Sequence, residues 1–172
     1  KEMLLNKDYH MLYAVHKSKV NEVFRAIGEI KGTMTQHELE NKKFKKTIFF
    51  IFGLSGLGKT KFARTLTKSL IQLAKLNDQN WQSVLTAGTN MFDEVNGEEI
   101  LLLDDVRGDS LTASDWLKLL DPYNISPISA RYQNRLGASK VIIITSSKHP
   151  LTFFYHAKGN TNEDLSQYIR RI

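Results

Sequence analysis

The chain has 172 residues, 41% of them hydrophobic, and 24 Lys and Arg against 18 Asp and Glu give a formal charge of +6. That length suffices for one domain with a real core and a small appendage. No apolar run approaches the roughly 20 residues of a membrane span, no apolar block follows the basic start, and the absence of cysteine removes disulfides, Cys-based zinc sites and thiol nucleophiles, which fits a reducing compartment.

Residue 1 is Lys rather than Met, as expected of a piece excised from a longer protein. Residues 1–45 read as a helical segment, a packing or oligomerisation collar too short for its own core. Val20, Val23, Phe24, Ile27 and Ile30 recur at spacings of three and four, the stripe of an amphipathic helix. Gly28 and Gly32 place its end nearby, and Thr35-Gln-His-Glu38 resembles a capping box opening a second short helix to about Lys43. The run Lys42-Lys43-Phe44-Lys45-Lys46 follows. The basic excess makes nucleic acid the first acidic partner to consider, and this run is either a contact for it or a solvated link into the first strand.

From 46 onward strands and helices alternate. Ile48–Phe52 reads as a buried strand and residues 59–76 as a helix, with Gly53-Leu54-Ser55-Gly56-Leu57-Gly58-Lys59-Thr60 between them. This fits G-x-x-x-x-G-K-[ST], the phosphate-binding loop. Glycines let the backbone wrap a polyphosphate, and the N–H groups of a helix N-terminus point at it. Lys59 would reach the β- and γ-phosphates of ATP, Thr60 would ligate Mg²⁺, and Lys61 continues the binding segment. A glycine-rich turn with an incidental lysine is the plain alternative, and the flanking strand and helix argue against it.

A weak strand is expected at 82–87 and strong ones at Ile100–Leu103 and Val141–Ile144, with a helix from Thr112 to Leu120. Continuous apolar strands are those covered on both faces, so the fold class is α/β, a P-loop domain with a central, mainly parallel sheet flanked by helices. Asp104 and Asp105 end the second strong strand. One carboxylate at that place holds Mg²⁺ and a second orients or deprotonates the attacking water. Adjacent strand residues point to opposite sides, so Asp104 takes the metal and Asp105 the water. Thr145-Ser146-Ser147 ends the third strand, either presenting a hydroxyl to the γ-phosphate or capping the strand in a Ser/Thr turn. Arg170 and Arg171 end an amphipathic C-terminal helix. They either complement its dipole or reach a neighbouring subunit's phosphate.

Four motifs in this order resemble a superfamily 3 helicase, of the AAA+ type, as in the Rep initiators of small circular single-stranded DNA viruses and rolling-circle plasmids. The spacing is similarly compact: Asp104 lies 45 positions after Lys59, and Ser147 43 after Asp104. Phe92-Asp-Glu-Val-Asn-Gly-Glu-Glu99, Asp115-Trp-Leu-Lys-Leu-Leu-Asp121 and Leu165-Ser-Gln-Tyr-Ile-Arg170-Arg171-Ile172 also resemble segments of that family. The resemblance covers roughly 47–172. It implies a replicative DNA helicase that hydrolyses ATP with Mg²⁺ and moves 3′→5′ on single-stranded DNA as a homo-oligomeric ring, a hexamer. It makes Ser147 the γ-phosphate sensor, although that family usually has Asn there. It makes Arg171, with Arg170 as the alternative, the finger acting on the next subunit.

The resemblance further places a DNA-contacting β-hairpin at Ile125–Gly137, with Asn134 and Gly137 as turn or bulge candidates. Arg131 and Arg135 would meet phosphates, Tyr132 would stack on a base, and Arg131-Tyr132-Gln133 stand where the family has Lys-Gly-Gly. It implies an upstream nickase domain; no His-x-His occurs here, so that domain would lie outside the chain. The compartment implied is the cytoplasm of a bacterial host, or the host nucleus for a virus. Two other readings keep the same P-loop: an ATPase that loads or remodels another protein, and a monomeric P-loop kinase.

Overall fold

The computed structural model of the chain describes residues 9–87, 92, 95–125, 127–129, 134–136 and 138–172. The first element, α1, is Tyr9–Glu40, with one break in helical geometry at His16. The helix runs through Gly28, Gly32 and Thr35, so the expected interruption and second N-terminus do not occur. Gly28 serves a different purpose. A Cβ there would lie 2.9 Å from the carbonyl carbon of Asn96, and one on Gly97 would lie 2.9 Å from Lys31 Cβ. Two glycines let the helix backbone meet the 96–97 turn.

The docked side of α1 continues at helical spacing. Lys31 Nζ donates to Gln82 Oε1 at 2.7 Å and lies 3.9 Å from Glu99. Thr35 is buried, Glu38 accepts from Lys140 Nζ at 2.6 Å, and Leu39 packs with Ile125, Ala138 and Phe44. The apolar stripe, expected to serve packing or oligomerisation, is the outer face of the helix. Val23, Phe24, Ile27, Ile30 and Met34 are exposed, and Val20 is half-buried. The apolar periodicity is real, but small and polar side chains make the intramolecular contact.

Then come β1 (Thr47–Phe52), α2 (Lys59–Leu76), β2 (Ser83–Thr86), β3 (Ile100–Leu103), a 3₁₀ turn (Gly108–Ser110), α3 (Ala113–Leu119), β4 (Pro127–Ser129), β5 (Asn134–Leu136), β6 (Val141–Ser146), α4 (Pro150–Lys158) and α5 (Ser166–Ile169). Four strands form one sheet in the order β1-β6-β3-β2, every neighbouring pair parallel. This is the expected α/β architecture. One face packs Ile100, Leu102, Val141 and Ile143 against Ala63 of α2. The other packs Leu101, Leu103, Ile142 and Ile144 against Trp116, Phe153, Phe154 and Tyr168 from α3, α4 and α5. Both faces are apolar, which is why β3 and β6 carry no polar alternation.

The sequence reading missed α4. Its signals were Pro150 at the first helical turn and His149 before it, whose Nδ1 accepts the Leu151 N–H at 3.3 Å. The hairpin expected at 125–137 is present as β4 and β5, antiparallel, with Ser129 opposite Asn134. Asn134 is therefore in a strand rather than in the turn. Arg135 lies in β5, whereas Arg131, Tyr132, Gln133 and Gly137 fall outside the described residues.

Candidate nucleotide site

The loop after β1 turns on glycine. Gly56 and Gly58 have φ of 82° and 80°, which side chains with a Cβ rarely adopt, and Gly58 caps the N-terminus of α2. The Gly53 N–H donates to Ser146 O at 3.3 Å, tying the loop to the end of β6. Lys59 Nζ donates to the Leu54 carbonyl at 3.0 Å, so the lysine lies across the loop.

The acids behave as two different groups. Asp104 Oδ1 accepts from Thr60 Oγ1 at 2.8 Å and from Thr145 Oγ1 at 2.7 Å. Thr145 Oγ1 also accepts the Asp105 N–H at 2.8 Å. Asp105 is exposed and sits in the left-handed region with φ of 48°. Thr145 is fully buried, so one hydroxyl fixes both the Asp104 carboxylate and the Asp105 backbone. Sequence reasoning passed over Thr145 because the register that brings β6 beside β3 is not written in either strand.

An open cleft of about 880 Å³ lies between the loop and the two acids. Lys61, Arg64 and Lys68 line it from one face of α2, with Lys59. Arg64 and Lys68 were also missed, although their spacing of three and seven from Lys61 puts them on the loop's side. The cleft thus has four cations and two carboxylates at a helix N-terminus, a setting for a polyphosphate. Among the described residues no group of three or more His, Cys, Asp or Glu could cage a metal. Thr60 and Asp104 are hard oxygen donors and fit Mg²⁺, whose remaining ligands would be water and phosphate.

Ser147 does not join Asp104. It is exposed and lines a neighbouring cleft of about 430 Å³ with Arg107, Lys148 and His156, which meets the phosphate cleft at Asp105. Arg170 and Arg171 line neither cleft. The helix before them is one turn, Ser166–Ile169, with Tyr168 stacked on Phe154 at 5.1 Å. Arg171 turns back: its Nη1 donates to Gln167 O, and its Nε is buried without a partner among the described residues. Arg170 is exposed.

The model of the RNA helicase family matches residues 49–148. A "Replication protein" of Onion yellows phytoplasma is 35% identical over 135 residues, which cover 78% of this chain and 33% of that protein. Over 105 residues the chain is 23% identical to the genome polyproteins of Human klassevirus 1 and Salivirus A, covering 58% of this chain and 4% of each polyprotein. The chain therefore spans a third or less of the length of these relatives. Among solved structures, a chain of closed-state Hsp104:ATPyS with FITC casein aligns at a TM-score of 0.38 and 16% identity, over 88% of this chain and 31% of that one.

Proposed function

The chain belongs to the RNA helicase family, and from that premise we propose that it is the motor domain of a replicative helicase, hydrolysing ATP to move 3′→5′ on single-stranded DNA within a hexameric ring. The observation that carries the ATPase is Asp104 Oδ1 receiving both the Thr60 and the Thr145 hydroxyls beside the lysine-bearing loop. The similarity to a phytoplasma replication protein supports a part in replication. In a bacterial host the place would be the cytoplasm, in a viral one the nucleus. A nickase domain would lie elsewhere in the longer protein.

The residues take the following parts. Gly53 to Lys61 wrap the phosphates, with Lys59 on the β- and γ-oxygens. Thr60 and Asp104 would hold Mg²⁺, which when bound supplies charge neutralisation at those oxygens. Asp105, pushed outward by its left-handed backbone, accepts the proton of the attacking water. Ser147 stands beside Asp105 rather than beside the metal acid, so its part is to orient that water. Arg131, Tyr132, Gln133 and Arg135 engage the DNA strand from the hairpin. The outer stripe of α1 faces the next subunit. For the finger acting in trans the geometry favours Arg170, which is exposed, over Arg171, which is folded onto its own helix.

One experiment addresses motor and ring together. Lys59→Ala and Arg170→Ala proteins are each expected to lose steady-state phosphate release, and their mixture to regain part of it, because each supplies what the other lacks. Turnover by Lys59→Ala alone would refute the site. Mixed rings that stay inactive at every ratio would refute action in trans, and failure to form rings at all would favour the monomeric kinase.

A further inference from the structure

We propose that Tyr123, with Lys42, Lys43 and Lys45, forms a second binding site for single-stranded nucleic acid at the root of the β4–β5 hairpin. The proposal rests on the nucleic-acid reading above but uses none of the residues assigned there.

Tyr123 is 71% exposed although it belongs to a well-anchored segment. Its N–H donates to Asp121 Oδ1 at 2.9 Å, and Ile125, two residues on, is buried against Leu39, Ala138 and Phe44. A large aromatic ring held outward on a fixed backbone retains apolar area in water. Lys45 Nζ stands 5.2 Å from the ring's centroid, a cation over the π-face.

The basic run is fixed to the same place. The Lys46 N–H donates to Pro122 O at 3.1 Å, and Phe44 packs beside Ile125. Lys42, Lys43 and Lys45 are exposed around that anchor, and Lys42 holds a φ of 56° that turns the chain out of α1. A solvated link would need neither the half-buried Phe44 nor the tie to Pro122. Of the nearby acids, Asp121 is engaged by the Tyr123 N–H and faces Lys46, and Glu40 accepts from Gln36. Among the described residues none of these three lysines is held in an ion pair, and they stand beside an exposed ring. That pairing is how sequence-independent single-strand sites work: cations track the phosphates and an aromatic face takes a base. Ile125 and Ala138 flank the hairpin on either side, so a strand held at its tip would pass this patch at its root.

The assay is fluorescence anisotropy of the full chain with labelled dT20 and U20 at two salt concentrations. Tyr123→Ala should weaken binding to the preferred probe roughly 5- to 150-fold, the range of one lost stacked base, and Tyr123→Phe should restore it. The double variant Lys43→Ala/Lys45→Ala should flatten the salt dependence by roughly 1.4 in slope, two single-strand phosphate contacts. Arg135→Ala reports on the hairpin separately. If it weakens binding while the Tyr123 and lysine variants match wild type, the patch is a link and the present proposal falls alone. If the patch variants weaken binding and Arg135→Ala does not, the patch stands and the hairpin assignment falls. Wild-type protein that binds neither probe at low salt overturns both.

Discussion

Thr145→Val nearly preserves side-chain volume and removes the hydroxyl that joins the two acids. Three bonds meet around Asp104 and Asp105, and two of them run through Thr145. A hydrogen bond to a charged carboxylate contributes about 1.5–3 kcal/mol, and a buried N–H left without a partner costs about 1–3 kcal/mol. Asp104 is partly solvated, so the low ends apply and the loss is about 2.5 kcal/mol. At about 2–4 °C per kcal/mol for a domain of this size, the melting temperature should fall by about 5–10 °C. Activity separates this role from a merely structural one. Asp104 would keep Thr60 as its hydroxyl donor, so half-maximal turnover should need several-fold more Mg²⁺. Asp105 would be free to leave its left-handed backbone, and kcat should drop by about 10- to 100-fold, or roughly 1.4–2.8 kcal/mol of barrier. Nucleotide binding, which rests on the loop and Lys59, should change little. Thr145→Ser should recover the Mg²⁺ midpoint even if stability is not fully restored. Phosphate release titrated with Mg²⁺ reads all of this. A Val variant with the wild-type midpoint and turnover would show that the hydroxyl positions neither acid.

Gly28→Val should undock α1, because its Cβ would lie 2.9 Å from the Asn96 backbone, which cannot swing aside like a side chain; limited proteolysis should then cut residues 28–46 faster, while fluorescent-nucleotide binding persists. Lys46 is buried, and burial lowers its pKa from 10.5 to about 8 against the opposing pull of Asp121. Between about pH 8 and 10.5 the unfolded chain therefore binds more protons at this group, so its destabilising effect is complete below pH 8 and lifts as pH rises through that window. Urea midpoints should climb across the window in wild type and less so in Lys46→Met; equal slopes would refute the assignment.

What was legible in the sequence was local. Gly53 to Thr60 is one continuous segment whose chemistry and backbone are set by adjacent residues, and Ile100–Leu103 and Val141–Ser146 announce themselves as buried strands by composition. What failed depended on partners distant in sequence. Gly28 looked like a helix end because intrinsic propensity penalises it, yet it marks a close approach to a turn some 70 residues away. Thr35 looked like a cap, but its burial against the domain keeps the helix continuous. Thr145 went unnamed as a site residue, since parity along β6 and register against β3 decide which hydroxyl meets Asp104. Leu103 pairs with Ile144, so the next residue on each strand, Asp104 and Thr145, come together. The apolar stripe of α1 was legible as a pattern, but periodicity gives a face and not its direction, so the sequence left packing and oligomerisation open.

The same register explains how one small domain can connect its two ends. Strand β6 begins one residue after Lys140, which bonds Glu38 of α1, and two after Ser139, whose hydroxyl donates to Glu98 O. It passes Thr145, which holds Asp104, and ends at Ser146, whose carbonyl receives the Gly53 N–H of the phosphate loop. Six residues at about 3.3 Å each make a rod of roughly 20 Å, bonded on both edges to parallel neighbours and buried on both faces. Such a strand is paired on both edges, so the positions of its two ends are set together by its registers with β1 and β3. Thr145 near one end of β6 and Val141 at the other are thus set by one register, and β3 runs alongside from Ile100 to Leu103, just before Asp104.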